Sequence, residues 1–454
     1  NLRVGRHAEA DAAASELLGR ARAHGEAATI AAVALASARA RSELGDGQAA
    51  HDRASETLWT AIAIGDDRLA FDAAFELVWI DGVDLGEPQV ADDFAQTAEA
   101  SLVRLGDEPR ERMRLAKQLG GVWGIARDFT RARAELGKAR ALAEQLGETR
   151  TAIDVRADLA TLDFHENEPV RAVSELREVV AWYERELGDR HPRVANTLGN
   201  LAQAELLAGD GKAARATVTR AVALARAAVG DRHPSTIELL GVQGHVLAML
   251  DDVPAALAVS REALAALSAL YGPDDRRLTG IETRLADLLA RTGDFDGAIA
   301  HAEHALAINE LTYGGESSGT ADAVHYLARV RGMKGDRRAD ASFERAATIY
   351  AALGDVESEV MVLNDHVHAL AEQKRSDEAL AHARAAWARA QQLPERSLSR
   401  ASTGMELAMI DDEMPLAQRR ALVAQGREVW RSVGVDAATL AIADAWLSNH
   451  PALR

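Results

Sequence analysis

The sequence predicts an all-α chain: a right-handed superhelical solenoid of about ten helix-turn-helix repeats, with one helix before them and a capping helix after. Three observations predict it. A short string of residues recurs at a constant step, an alanine returns in phase along the chain, and aromatic residues are scarce. Repetition is weighed before any local motif, because a repeat array changes how every other residue is read.

The string Gly-Asp-Arg-His-Pro occupies residues 188–192 and again 230–234, 42 residues later. Gly272 falls at the next step of 42 and Gly314 at the one after. Between these markers the spacing predicts helices over 192–208 and 212–229, then 234–250 and 254–271, then 278–292 and 295–313. Gly209-Asp210-Gly211 makes the turn inside the first of these pairs. Proline in the first helical turn loses no hydrogen bond, and glycine beyond the last turn closes a helix in the left-handed conformation.

The alanine series is Ala10, Ala50, Ala91, Ala132, Ala172, Ala214, Ala256, Ala298, Ala339, Ala379 and Ala417, at steps of 38 to 42. Seven residues further on, the same face is again small at Ala98, Ala139, Ala221, Ala263, Ala305, Ala346, Ala386 and Ala424. That spacing keeps both positions on one helical stripe. Small side chains there let two helix axes approach closely.

Composition agrees. With 48% hydrophobic residues and 27% charged, the 454-residue chain can bury a core. Only 4% of residues are aromatic, which fits close helix–helix contacts and not β-sandwiches or barrels. The net charge of −18 disfavours nucleic acid and anionic membrane surfaces as partners. Cysteine is absent, which removes disulfides and thiolate chemistry and fits a reducing compartment. No stretch approaches 18 uncharged apolar residues and no signal-peptide pattern opens the chain, so this segment is expected to be cytoplasmic, without direct membrane contact. The first residue is Asn1, not Met, and the first helix (6–24) lacks a partner. Both predict a piece of a longer protein.

The pattern resembles the tetratricopeptide repeat. That family places Leu-Gly and an aromatic in the first helix, and alanines around a larger apolar residue in the second. Leu119, Gly120 and Trp123, followed by Ala132, Leu136 and Ala139, match it closely. Ala328, Ala339, Phe343 and Ala346 match again, as do Gly244, Leu247, Ala256 and Ala263. The family period is about 34 residues; the longer period here is similar to kinesin light chains. The resemblance divides the chain into an orphan second helix (1–25), ten repeats (26–434) and a capping helix with a tail (435–454). Residues 81–88 and 393–397 are the least regular and are expected to be bends. Trp446, Leu447, His450 and Pro451 also make the end of the chain similar to the C-terminal region of myxobacterial-type serine/threonine protein kinases. The kinase motifs themselves are missing. Arg127-Asp128-Phe129 is followed by Thr130 and sits in a turn.

No chemistry rises above this background, and neither a metal nor a cofactor is expected. Gly209-Asp210-Gly211-Lys212 lacks phosphate-loop spacing. His301 and His304 lie one helical turn apart, and His366 and His368 point to different faces; two ligands do not make a zinc site. His191 and His233 are read as helix starters, and Asp251-Asp252 and Asp411-Asp412 as helix caps.

The resemblance implies a protein-binding scaffold, not an enzyme, with a concave face lined by first helices. Its groove positions fall on Asn196, Gly199 and Gln203; Glu238, Gly241 and His245; Thr283, Asp287 and Arg291; Asp322, His325 and Arg329; and Asn364 and His368. The mixture of acid, base and amide implies a peptide or protein partner. The paired lysines and asparagines of chaperone-binding members are missing, which excludes acidic chaperone tails. Self-association is a further expectation for such an array.

Overall fold

The computed structural model describes residues 7–166, 168–432, 435 and 437–451. Among these there are 22 α-helices and no strand. Two of the boundaries expected from sequence, Arg6 and Asp436, lie outside the described residues, as does the repeat limit at Gly434.

The chain forms two compact units, divided between Asp252 and Val253. The first opens with α1 (His7–His24). It continues through the pairs α2 (Ala27–Leu44) and α3 (Gly47–Ile64), α4 (Asp67–Trp79) and α5 (Pro88–Arg104), and α6 (Pro109–Ile125) and α7 (Phe129–Gln145). Then come α8 (Thr149–His165) and α9 (Pro169–Leu187), α10 (Pro192–Leu207) and α11 (Gly211–Val229), and α12 (Pro234–Met249). The second unit begins with α13 (Val253–Tyr271), which follows α12 in chain order. It continues with α14 (Thr279–Arg291) and α15 (Phe295–Tyr313), α16 (Ser318–Lys334) and α17 (Arg338–Leu353), and α18 (Val356–Glu372) and α19 (Ser376–Ala390). It ends with α20 (Leu398–Ile410), α21 (Leu416–Ser432) and α22 (Ala437–Asn449).

Local chemistry sets the helix ends. Asp46, Asp66, Asp128, Asp210, Asp294 and Asp355 each accept a backbone N–H three residues on, at 3.0–3.2 Å. Each satisfies a donor that the first helical turn leaves unpaired. The two expected histidine starters behave alike: Nδ1 of His191 accepts from Arg193 N–H, and Nδ1 of His233 from Ser235 N–H, both at 3.2 Å. Ahead of them, Gly188 and Gly230 sit at φ 89° and 90° with ψ 153° and 168°. That region is open essentially to glycine alone.

The alanine stripe is the seam of the hairpins. Ala50, Ala91, Ala132, Ala172, Ala214, Ala256, Ala298, Ala339 and Ala379 are all buried. Ala417 and Ala424 are not; both are exposed. In α21 the buried stripe is Arg419, Val423, Gly426 and Val429. The step from Ala379 to Arg419 is 40, not 38, because residues 411–415 form a loop before α21 begins. Arg419 donates to the carbonyls of Ala408 at 2.6 Å and Met409 at 3.3 Å, and to Asp412 at 2.7 Å. These bonds allow a cation to replace an alanine there.

Each first helix packs on its own second helix and also touches the first helix of the next pair: α2 on α4, α4 on α6, α6 on α8, α8 on α10 and α10 on α12 in the first unit. In the second unit α14, α16, α18 and α20 form the same row. Second helices make no contact of comparable extent with one another. Within each unit the first helices therefore form the inner row.

Both expected bends are real irregularities. A π-helical segment, Ile80–Asp84, extends α4, and Gly82 in it sits where an added Cβ would meet Val122 at 2.5 Å. Residues 391–397 form a loop in which Leu393 is buried. Asp411 does not cap a helix as expected. It is buried and holds Arg384 through two bonds of 2.8 Å. One helix among the described residues, Val253–Tyr271, is long and apolar enough by composition to cross a membrane. It carries Arg261 and Glu262 near its middle and buries Ala256, Ser260, Ala263 and Leu267, the stripe of a packed repeat helix.

Candidate ligand-binding face

In the first unit an open cavity of about 640 Å³ lies among α6, α7, α8, α10 and α12. Gly120, Gly121, Gly124 and Ile125 of α6 and Phe129 and Leu136 of α7 line it. Asp158, Thr161 and Leu162 of α8, Asn200 of α10 and Glu238 of α12 form its walls. The Asn200 amide donates to the Thr161 hydroxyl at 3.4 Å, which ties α10 to α8. Lys117 of α6 approaches Asp158 at 3.6 Å.

Burial pushes the Asp158 carboxyl up; Lys117 and, more weakly, Arg193 oppose the shift, and Asp154 adds to it. The side chain is still 46% accessible. A trough reconciles the two: water reaches the carboxylate from one side, while protein on the others removes most of its solvation. Burial alone pushes Glu238 up.

Of the expected groove residues in this unit, Asn196, Glu238 and His245 are exposed and Gln203 is half-buried. Gly199 does not face the groove. It is buried, and an added Cβ would meet Leu239 of α12 at 2.5 Å. It is the contact point between neighbouring first helices. The residue one further along, Asn200, takes the groove position.

The second unit repeats the offset. Thr283 spends its hydroxyl on the Thr279 carbonyl of its own helix at 2.9 Å. His325 is buried and bonds Asp365 of α18 through Nε2 at 2.9 Å. Asn364 exchanges hydrogen bonds with Thr403 of α20 at 2.8 and 3.0 Å. These three brace one helix or join two. One residue on stand Arg284, Tyr326 and Asp365. Burial lowers the Arg284 pKa, and its Nη1 has no hydrogen-bond partner. Burial raises the Tyr326 pKa, and Asp287 adds to the shift while Arg329 opposes it.

The outer expected positions form a charged ladder. Arg291 lies 3.7 Å from Asp287 on α14, Arg329 of α16 lies 3.4 Å from Asp365, and His368 of α18 lies 3.3 Å from Glu406 of α20. Burial pushes Glu406 up to about 7; Asp365 adds to the shift and His368 opposes it. Asp322 is exposed and accepts the Tyr350 hydroxyl from α17. Asn200, Asp158, Arg284 and Glu406 are the residues that sequence reasoning missed. Only the 39- to 42-residue steps through Thr161, Asn200, Val242, Arg284, Tyr326 and Asp365 could have found that row.

The two histidine pairs behave differently. His301 and His304 close on one buried carboxylate, Glu282, with His304 Nδ1 at 2.7 Å and Asp274 at 3.4 Å from its other nitrogen. His366 is buried and stacked on Phe343 at 4.8 Å, whereas His368 is exposed, so they do lie on different faces. Among the described residues no group of three or more histidines and carboxylates is placed to hold a metal ion.

Residues 155–227 and 278–352 match the tetratricopeptide repeat family. Over these stretches the chain carries tetratricopeptide repeats. They take in α9 to α11 and α14 to α17, less than half of the chain. No curated protein matches the sequence. Among solved structures, a putative kinesin light chain of nearly identical TPR-like repeats from Podosopora anserina is similar at 21% identity. That match covers 44% of this chain and 96% of that one, with a TM-score of 0.41. A signal transduction ATPase with a tetratricopeptide repeat sensor from Pyrococcus horikoshii is similar at 13% identity, over 79% of this chain and 55% of that one, with a TM-score of 0.53. Human IFIT1, a dimer with PPP-AAAA, is similar at 14% identity over 96% and 93%, with a TM-score of 0.50. At these identities the likeness concerns the helical-repeat fold alone.

Proposed function

We propose that the chain is a non-catalytic scaffold that binds peptides or protein partners on the inner rows of first helices. The observation that carries this reading is the composition of those rows. Exposed or half-buried positions of those rows include polar residues in both units: Asn196, Gln203, Glu238 and His245 in one, Asp287, Arg291, Arg329 and His368 in the other. An array that served only as a spacer would have no use for a buried guanidinium nitrogen without a partner or for a cavity between helices.

We place this scaffold as the C-terminal part of a bacterial serine/threonine protein kinase that recruits substrates or regulators. Its support is the ending Trp446, Leu447, His450 and Pro451. In the fold Trp446 stacks on His450 at 4.2 Å and closes the last hairpin. The alternative is a free-standing adaptor or regulatory sensor. The reading frame upstream of Asn1 separates the two: kinase motifs there support the first, and their absence overturns it.

The binding reading has its own test. A partner captured by the chain is cross-linked through photoreactive residues placed at Gln203, Asp287 or Arg329, and in parallel at Ala307 on the outer side of α15. Cross-links confined to the first three support the inner rows. Cross-links from Ala307 alone overturn them, and a concentration-dependent dimer without other partners would make self-association the function.

A further inference from the structure

We propose that the cavity of the first unit is a receptor for one basic side chain, lysine or arginine, of an extended polypeptide laid along α6 to α12. The proposal deepens the peptide-binding reading and rests on it.

Four observations converge. The cavity, at about 640 Å³, has the size of a ligand site. Gly121 and Gly124 in its lining carry no side chain, so this strip of α6 presents backbone; an added Cβ would come to ordinary contact distances of 3.6 Å from Trp79 and 3.4 Å from Leu162. Leu162 and Ile125 give the apolar surface along which the methylene stem of a basic side chain lies.

The polar part is acidic and incompletely neutralised. Asp158 on α8 and Glu238 on α12 flank Asn200 on α10, and these three helices are successive neighbours. Lys117 reaches Asp158 only at 3.6 Å. Among the described residues no hydrogen bond or ion pair engages Glu238; it is exposed on one side, and the protein around it on the others pushes its carboxyl up. The lining itself includes one cation, Arg127, which lies over the Phe129 ring at 5.8 Å, at the turn between α6 and α7. Asp158 is only partly offset by Lys117 and Arg193, and Glu238 has no counter-charge among the described residues, so a cation brought between them stabilises both carboxylates. Asn200, both donor and acceptor, is placed to hold the backbone of the same segment. An acidic or phosphorylated segment is excluded by the same two carboxylates.

The test uses the full chain and pools of acetylated, amidated heptapeptides with degenerate flanks around a fixed central residue: arginine, lysine, citrulline or glutamate. Acetylation removes the terminal ammonium, so only the side chain is read. Binding is measured at about 0.15 M salt, where the long-range field of the acidic chain is screened. The arginine and lysine pools should bind about tenfold more strongly than the citrulline and glutamate pools, the size of one charge-assisted contact. The isosteric pair Asp158→Asn with Glu238→Gln should erase that preference at unchanged helix content. A control pair, Glu372→Gln with Asp377→Asn, removes equal charge elsewhere and should keep it. Equal binding of all pools overturns the cation site and leaves the peptide-binding reading standing. Equal loss of preference in the control pair also overturns the site. Binding of no pool overturns both.

Discussion

The guanidinium of Arg419 lies over the ring of Trp446 at 5.3 Å, in the place that alanine holds in the preceding second helices. One buried cation thus joins α20, α21 and α22: it bonds two carbonyls at the end of α20, belongs to α21, and carries the tryptophan of α22 on its face. Arg419→Met keeps the stem and removes these bonds. It should weaken the last hairpin by about 2–3 kcal/mol. Amide exchange read along α22 should accelerate while that of α14 to α17 stays unchanged; unaltered exchange in α22 would show that the arginine is a passive filler.

Ala256 has no accessible surface on the buried stripe of α13. Ala256→Phe should overpack that seam and cost about 1–3 kcal/mol. The melting temperature is the readout. A variant as stable as the parent would mean that the stripe does not set the helix spacing.

Lys374 occupies the left-handed turn position, φ 61°, that Gly209, Gly293 and Gly335 fill at φ 84°, 82° and 76° in other repeats. A side chain there costs about 1–2 kcal/mol, part of which glycine gives back as unfolded-state entropy. Lys374→Gly should therefore stabilise the chain by about 0.5–1 kcal/mol, visible as a higher urea midpoint. A lower midpoint would mean the turn is set by contacts and not by backbone conformation.

Glu282 and His304 give a pH dependence with a definite sign. Burial opposes charge on both, but the hydrogen bonds from His301 and His304 hold the Glu282 pKa down, and Glu282 and Asp274 hold the His304 pKa up. The carboxylate contribution is present above the ordinary glutamate pKa and lost as pH falls through the lowered folded value. The histidine contribution is complete below the ordinary histidine pKa and lost as pH rises through the raised folded value. The pair therefore stabilises most between about pH 4.5 and 6.5. The difference in melting temperature between the parent and Glu282→Gln should be widest in that window and shrink as pH rises beyond it. A difference independent of pH would leave the cluster a neutral hydrogen-bond network.

Helix content, the hairpin grammar and the seam were legible because each has a local chemical cause: proline and histidine at helix starts, glycine beyond helix ends, and alanine where axes meet. The helix over 295–313 coincides with α15. The error at Ala417 arose where the loop over 411–415 displaced the repeat by two residues, and a buried arginine is not what a search for small residues finds. For the proposed groove, the sequence pointed to the first helices without separating adjacent positions on them. Gly199, Thr283, His325 and Asn364 brace their own or the adjoining helix; of the residues one further on, Asn200 and Asp365 also bond a neighbouring first helix, while Arg284 Nη1 has no hydrogen-bond partner. Both positions are polar or small, so amphipathic periodicity along one helix cannot separate them; the neighbouring first helix does. The cavity was invisible because its lining comes from five helices, α6, α7, α8, α10 and α12, spread from Gly120 to Glu238.

The central claim is that partners are held by the inner rows and not by the outer helices. Its most direct measurement is the affinity of a captured partner for the double variant Arg291→Glu with Arg329→Glu. Both residues are exposed on first helices, beside Asp287 and Asp365. A complex at least about tenfold weaker is expected at unchanged helix content; affinity equal to that of the parent chain would overturn binding by the inner rows.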